Sequence, residues 1–401
     1  MQKTLLTLAL VIITILFSSC LKPSAPNLTE PAPKPSTPAV ESPVVKSEGS
    51  LPKPVFAGKS VEVCLNSRYS EHNLSGTADD QKIGGVLWAA ARAPVTGAYR
   101  NIYVATPSGT YLYDPSKQSL SRYSNDIADR GAFVLSYERE LAFDAGVSYM
   151  PALLAAVSLW GGTELSVVGC PMMSKLHFGV QKVRGLTSEL VAHSSVPQGE
   201  DGWLPDPKTV GDNDLGAVLA NLKYTSNFAQ KNLTKQQISQ LLWAGYGCTP
   251  HLTSNSKTGL TVPSAIARYY LTGTIYLANE NGVYRYHNRN PSTDLTTRDH
   301  KIERVNPDDI RNSLQSAVSG LHQAPCYIIL CLDSSYVGQE FAQLEAGFVA
   351  GNMLVQASAI GLGCHFETKL TSGEQQSIQK ATSIPSSHIP QVVISIGSTS
   401  P

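Results

Sequence analysis

The chain has 401 residues, with 31 Lys+Arg against 31 Asp+Glu and a formal net charge of zero. A neutral chain without a basic run lacks the electrostatic footprint of a nucleic-acid partner, so none is expected. Once the first 58 residues are set aside, the remainder is too long for one ordinary domain and suits two.

The first segment, "MQKTLLTLALVIITILFSSC", has a basic start at Lys3, an apolar run from Leu5 to Phe17 and small residues before Cys20, the layout of a secretory signal. It resembles a bacterial lipoprotein signal, "FSSC" standing in for the lipobox, which implies cleavage before Cys20 and diacylation of its thiol. The alternative is an uncleaved anchor helix, for which the run is short against a bilayer span of ~20 residues. Both readings place the bulk of the chain outside the cytoplasm, and the lipoprotein reading ties it to a membrane at Cys20. Residues 21–58 are dense in Pro, Ser, Lys and Glu and cannot bury enough surface to offset their ordering entropy, so a disordered tether is expected there.

Six further cysteines, Cys64, Cys170, Cys248, Cys326, Cys331 and Cys364, sit in a compartment that permits disulfides. No CxxC and no Cys/His group of metal-ligand spacing occurs, so no metal is expected. Cys326 and Cys331 bracket the apolar run "CYIILCL", which reads as a buried strand, and their odd offset puts them on opposite faces.

Internal repetition organises the rest. "GGVLWAAARAP" at 84–94 matches "SQLLWAGYGCT" at 239–249, and "NIYVATPSGTYLYDP" at 101–115 matches "TIYLANENGVYRYHN" at 274–288. "DAGVSYMPALLAAVSLWGG" at 144–162 then aligns without gaps on "EAGFVAGNMLVQASAIGLG" at 345–363. A tandem duplication follows, with copies at 59–200 and 212–401 and a boundary near 197–214, where turn formers cluster.

In the second copy, Thr234 and Gln237 form a capping box for a helix carrying Ile238, Leu241, Leu242 and Trp243. A hairpin pairs Ile275–Leu277 with Val283–Tyr286 across a tight turn placed at Asn281-Gly282. "RVNPDDIRNSLQSAVSGL" reads as an amphipathic helix, residues 326–332 as a buried strand, Ala342–Ile360 as a central buried helix and "QVVISIG" as the last strand. Helices with a mostly antiparallel sheet make the fold class α+β.

The order "LLWAGYG", "TVPSAIARYY", "GVYRYH", "LEAGFVAGNMLVQASAIGLG", "VVISIG" is similar to the nitroreductase family, in particular its thiazole/oxazole-forming dehydrogenase branch, the SagB type. The resemblance covers essentially residues 60–400 as two copies. It implies two nitroreductase-like domains joined as an intrachain pseudo-dimer, a monomer in solution, with FMN in a cleft built from both copies. In the family the Pro-Ser loop reaches across the dimer to the other subunit's flavin, and Pro263 and Ser264 match it, while Ile266 stands where the branch usually has Gly. The family's own-subunit Arg-Arg-Ser-x-Arg run is matched by Asn66, Ser67 and Arg68 in the first copy and only by Lys223, Tyr224 and Ser226 in the second. The loop after the buried helix aligns Glu367 and Thr368, and in the first copy Ser166 and Val167, with positions whose backbone N–H faces flavin N5. His365 and Glu367 share one side of that stretch.

The matched Trp and Tyr are 23 positions apart in the first copy, Trp88 to Tyr111, and 41 apart in the second, Trp243 to Tyr284. The first copy has therefore lost the reaching loop, while the second keeps that loop but has lost most of its own-subunit cations. The resemblance then implies at most one FMN per chain, in a cleft combining Asn66, Ser67, Arg68 and the 163–167 loop with Pro263 and Ser264, and an empty cleft at Lys223. Two function classes remain open: an exported FMN-dependent oxidoreductase acting by hydride transfer on a small organic molecule, and a degenerate pseudo-dimer that binds a ligand or partner without redox activity. No catalytic side chain is assigned.

Overall fold

The computed structural model describes residues 48–68, 79–94, 101–106, 108–125, 133–136, 142–159, 165–167, 170–172, 175–178, 180–182, 202–252, 257–289 and 299–400. The signal segment, Cys20 and residues 21–47 lie outside the described residues.

In chain order the first half contains β1 (Gly49–Ser50), α1 (Val61–Ser67), α2 (Asp80–Ala90), β2 (Tyr103–Thr106), β3 (Gly109–Asp114), β4 (Ser119–Ser124), β5 (Phe133–Ser136), α3 (Ala142–Leu159), β6 (Leu165–Val167), β7 (Cys170–Met172), β8 (Lys175–Phe178) and β9 (Val180–Lys182). Asp79 starts α2 by accepting the Lys82 N–H at 2.9 Å, and Ile83, Val86, Leu87 and Ala90 turn its apolar face inward. One antiparallel sheet runs β1-β4-β3-β2-β5-β8-β7, and β6 pairs with β9 as a separate ribbon. Residues 48–58 correct the expected end of the tether. β1 pairs with β4, the Leu51 N–H donates to the Gln118 carbonyl at 2.7 Å, and Leu51 is buried while the Phe56 ring meets Trp88. Those two apolar side chains seat the segment on the fold.

The second half contains α4 (Leu215–Ala220), α5 (Lys235–Tyr246), β10 (Cys248–Leu252), β11 (Thr258–Leu260), a 3₁₀ turn at Ala265–Ala267, β12 (Ile275–Asn279), β13 (Gly282–His287), β14 (Lys301–Asn306), α6 (Arg311–Ala317), β15 (Cys326–Asp333), α7 (Glu340–Ala359), β16 (Gly363–Glu367), α8 (Ser372–Thr382) and β17 (His388–Gly397). The expected capping box is present on α5: the Thr234 hydroxyl accepts the Gln237 N–H, and the Gln237 side chain accepts the Thr234 N–H. The sheet order is β14-β13-β12-β15-β17-β16, antiparallel throughout. Along β15, Cys326, Ile328, Leu330 and Leu332 face the main core, whereas Tyr327, Ile329 and Cys331 face a second cluster with Leu314 of α6 and Ile378 of α8. The two cysteines are on opposite faces as expected, and Cys64, Cys326, Cys331 and Cys364 are free thiols.

Two local expectations shift. Asn279 is paired with Gly282, so the turn is made by Glu280 and Asn281, one residue earlier than expected, with the Asn281 N–H on Asn279 Oδ1 at 2.9 Å. Gly282 has φ +123°, and a Cβ there would overlap the Asn306 carbonyl oxygen, so glycine is required by the neighbouring strand as well as by the turn. The helix expected over "RVNPDDIRNSLQSAVSGL" covers only Arg311–Ala317, because Arg304–Asn306 pair with β13 and Pro307 ends that strand.

Helices α3 and α7 lie side by side in the main core, buried along nearly their whole lengths. α3 is long and apolar enough to cross a membrane, yet 89% of it is buried inside the fold, as a core helix requires. The two helices meet at glycines. A Cβ at Gly146 would overlap the Leu344 carbonyl oxygen, and a Cβ at Gly347 would overlap the Phe143 carbonyl oxygen, each lying 2.8 Å from the other glycine's Cα.

Candidate functional site

α5 ends at Gly247, whose N–H still reaches the Trp243 carbonyl, and the chain then makes the short β10–β11 hairpin. The next segment is pinned at its first residue. The Thr261 N–H donates to the Gly247 carbonyl at 2.9 Å and its hydroxyl to the Trp243 carbonyl at 3.2 Å, while its own carbonyl accepts Asn352 Nδ2 at 3.2 Å. Pro263, whose ring restricts φ, follows in a buried position.

Past the proline the backbone is strained. Ala267 has φ +48° and Tyr269 φ +56°, left-handed values that cost a residue with a Cβ roughly 1 kcal/mol or more each. The half-buried Ser264 hydroxyl accepts the Tyr269 N–H at 2.8 Å, and Lys257 Nζ donates to the Ala267 carbonyl at 2.8 Å. These two bonds hold the strained arc.

Two arginines are buried beneath it, each only 3% exposed. Arg68 Nε donates to the Thr261 carbonyl at 2.9 Å and Nη2 to the Leu260 carbonyl at 2.5 Å. Arg289 Nη2 donates to the Thr258 carbonyl at 3.0 Å, and its guanidinium lies 4.6 Å over the Tyr269 ring. Loss of solvent pulls the Arg68 guanidinium down to about 10, still charged at neutral pH, and pushes the Tyr269 phenol up to about 12.

The acid at this site is Glu345, 1% exposed in the middle of α7. Its Oε1 accepts the Tyr246 hydroxyl at 2.6 Å and the Leu271 N–H at 3.3 Å. Burial raises the carboxyl to about 7, against the opposing pull of the Ser264 and Tyr246 hydroxyls and the 270–271 backbone. Near neutral pH, Glu345 therefore divides between its acid and its carboxylate.

Around this loop several buried polar atoms have no hydrogen-bond partner among the described residues: Arg289 Nε, Glu345 Oε2, Asn352 Oδ1, Thr249 Oγ1 and Thr258 Oγ1. Native interiors leave few such atoms, because each costs roughly 1–3 kcal/mol. Their concentration around one segment marks a place built to meet a polar ligand or water.

The expected site residues divide as follows. Arg68 is brought onto the segment leading to Pro263 and Ser264, joining residues far apart in sequence. Asn66 meets the same hairpin through its carbonyl, 3.1 Å from His251 Nε2, while Ser67 ends α1 with its side chain exposed. Ser166 and Val167 lie in β6, paired with Gln181 and Val180, and it is β7 whose backbone lies beside the Ala265–Ala267 turn. Lys223 is exposed, and Tyr224 packs against His365 and Phe366 in a different part of the second half. Arg289, Glu345, Tyr246, Tyr269 and Asn352 were not anticipated. Glu345 and Asn352 carried a signal, being polar positions within an otherwise apolar helix.

Residues 225–398 match the family model described as the nitroreductase family. That stretch is a nitroreductase family domain. "Putative nitroreductase MJ1384" of Methanocaldococcus jannaschii is 27% identical over 174 residues, 40% of this chain and 79% of that protein. The crystal structure of a protein of the same designation from Anabaena variabilis superposes with a TM-score of 0.58 at 12% identity, covering 90% of this chain and 94% of that one. An FMN-dependent nitroreductase from Clostridium difficile covers 46% of this chain and 87% of its own, with 13% identity and a TM-score of 0.33. Members of the family are typically FMN-dependent oxidoreductases.

The residues present fit such a cofactor at its charged end. A flavin phosphate brings negative charge and acceptor oxygens, and Arg289 Nε is a buried cationic donor without an acceptor among the described residues. Arg68, a second buried guanidinium beside the same Tyr269, donates to the Thr261 and Leu260 carbonyl oxygens.

Proposed function

We propose that the protein is an exported FMN-dependent oxidoreductase of the nitroreductase type, related to the SagB branch, lipid-anchored through Cys20 and acting on a small organic molecule. The observation that carries this reading is the pair of buried guanidinium groups under the Pro-Ser segment, together with the unpartnered polar atoms around them. Arg68 and Arg289 would hold the phosphate and Pro263 and Ser264 would line the approach, giving one FMN per chain. When bound, FMN supplies a ring that accepts and passes on a hydride. The chain's own part is to neutralise the phosphate, keep water out with the buried Val262, Pro263 and Tyr269, and hold a proton on the Glu345 carboxyl, whose Oε1 accepts the Tyr246 hydroxyl.

The tandem pseudo-dimer belongs to the same reading. In the repeat alignment Gly146 corresponds to Gly347 and Phe143 to Leu344. Gly146 abuts Leu344 and Gly347 abuts Phe143, the reciprocal contact that a two-fold interface between equivalent surfaces produces. The two large sheets support it too: β4-β3-β2-β5-β8-β7 and β14-β13-β12-β15-β17-β16 share one order of hairpin, central strand and returning strands. With its partner in the same chain, the protein is proposed to be a monomer.

A second reading, a ligand-binding pseudo-dimer without redox activity, is favoured by one observation: Arg68 already closes the segment by bonding Leu260 and Thr261. Titration of the full-length protein with FMN separates the two. The redox reading expects one FMN per chain, retained on gel filtration with the visible flavin band, lost in Arg68→Ala and Arg289→Ala and kept in Lys223→Ala. Arg289→Lys, which keeps the charge, should retain part of the affinity. Absence of FMN binding by folded wild-type protein, or its loss only in Lys223→Ala, would overturn it.

A further inference from the structure

The opposite face of the second sheet carries a group that the flavin reading does not use. β16 is an edge strand, and its alternation turns Cys364 and Phe366 into the main core while His365 and Glu367 point to the side of α6 and α8. On that side the connection from α6 to β15 brings His322 over β16. The His322 carbonyl accepts the Tyr327 hydroxyl at 3.1 Å and the Ser395 hydroxyl at 3.2 Å, so its backbone is held by two neighbouring strands. Gly320, with φ +81°, lets the same connection pass close to Glu367: a Cβ there would be 3.8 Å from both carboxylate oxygens.

The result is a compact set of ligand atoms. One nitrogen each from His322 and His365 and one oxygen from Glu367 all lie within 4.8 Å of one another. The two imidazole rings meet edge to face with centroids 4.3 Å apart, and His365 Nδ1 lies 3.5 Å from Glu367 Oε1. That nitrogen is buried and has no hydrogen-bond partner among the described residues. Glu367 has no Lys or Arg partner among the described ion pairs, its only one being His365.

We propose that His322, His365 and Glu367 form a binding site for a divalent first-row transition metal ion, with a coordination position left open to solvent. Two imidazoles and one carboxylate are the donor set of three-ligand zinc sites, whose bonds of about 2.0–2.2 Å put ligand atoms about 3.3 Å apart on a tetrahedral ion. The His365–Glu367 pair is already near that separation, and the remaining atoms close by rotation of half-buried side chains. The Tyr224 ring, 4.8 Å from His365, covers one side, and Glu374, beyond Glu367, is tied up by the Ser319 and Thr371 N–H groups. None of the three ligands belongs to the Arg68–Arg289 cluster, and the site stands whether or not FMN binds.

The test is zinc titration of the full-length protein by calorimetry, with Co²⁺ as a spectroscopic probe. Wild type should bind one Zn²⁺ per chain, and Co²⁺ should give the intense visible bands of a low-coordinate N/O site. His365→Ala, Glu367→Gln and His322→Gln should each weaken Zn²⁺ at least tenfold and abolish those bands. His287→Gln, at a histidine on β13 paired with Glu303 of the far edge strand β14, should change neither. His322→Gln sits on a connection and not in the sheet, so it reads the site even if the β16 variants unfold. No stoichiometric zinc binding by wild type, or binding unchanged in His322→Gln, overturns the proposal.

Discussion

Gly347→Ala tests the crossing of the two central helices. The added Cβ would lie 2.8 Å from Gly146 Cα and would overlap the Phe143 carbonyl oxygen, and both neighbours are backbone. Ordinary van der Waals separation begins near 3.4 Å, so α3 and α7 must part by at least about 0.6 Å to relieve the approach to Gly146, and by more to clear the carbonyl. Overpacking of this kind costs about 1–3 kcal/mol, and parting the helices weakens dispersion attraction along the whole seam. The substitution also removes a glycine from a helix interior, which by itself favours the folded state by about 1 kcal/mol. Because both clashing neighbours are backbone the cost falls at the upper end of that range and the seam should win, giving a net loss of roughly 2 kcal/mol in urea unfolding of the full-length protein. Gly146→Ala should do the same through the Leu344 carbonyl, and the double variant should cost less than the sum, because one parting serves both methyls. Gly373→Ala in α8, where nothing lies within 4 Å, is the control and should be neutral or stabilising. Gly347→Ala as stable as wild type would refute the close crossing.

Glu345→Gln should flatten the acid side of the stability profile. Its folded pKa, about 7, is above its ordinary value of 4.5, so the native state holds a proton that the unfolded state releases. This contribution is fully present below pH 4.5 and is lost as pH rises through 7, up to about 3 kcal/mol. His365 works oppositely, its stability contribution falling as pH drops from 6.5 toward 4, so the Glu345 effect is read as the difference between variant and wild-type urea midpoints at pH 5 and pH 8. A constant difference across that range would contradict the assignment. For the anchor, Cys20→Ser should release unlipidated or unprocessed protein from the detergent-sensitive membrane fraction. Unchanged fractionation and processed mass would remove the lipoprotein proposal.

The second half was readable wherever one local period dominated. The Thr234/Gln237 box, the apolar run 326–332 and the long apolar helix after it all came out within a residue or two, because each is specified by near neighbours. Errors arose where a distant strand made the choice. Arg304–Asn306 have helical company in sequence, yet they pair with β13, and the hairpin turn moved back one residue because the Asn306 carbonyl leaves no room for a Cβ at Gly282. Residues 48–58 look like tether by composition, but Leu51 and Phe56 suffice to seat them once β4 and Trp88 offer a surface.

The site was legible only through its anchors. Arg68 and the Pro263-Ser264 step could be singled out one at a time, and the fold places the first against the segment that leads into the second. What the sequence concealed is how the charge is arranged there. Ser264, matched to the family's reaching loop, has its hydroxyl engaged with the Tyr269 N–H, and the strong cation beside Arg68 is Arg289, from the strand end after the hairpin. The His322–His365–Glu367 group escaped for the same reason. His365 and Glu367 are two apart and looked like surface, and the third donor comes from a connection whose position depends on Gly320 and on the Tyr327 and Ser395 hydroxyls. Spacing rules detect donors that share a strand or helix. A site assembled by a returning connection becomes visible only once the sheet order is known, and here that order puts β16 at the edge, where a connection can lie across it.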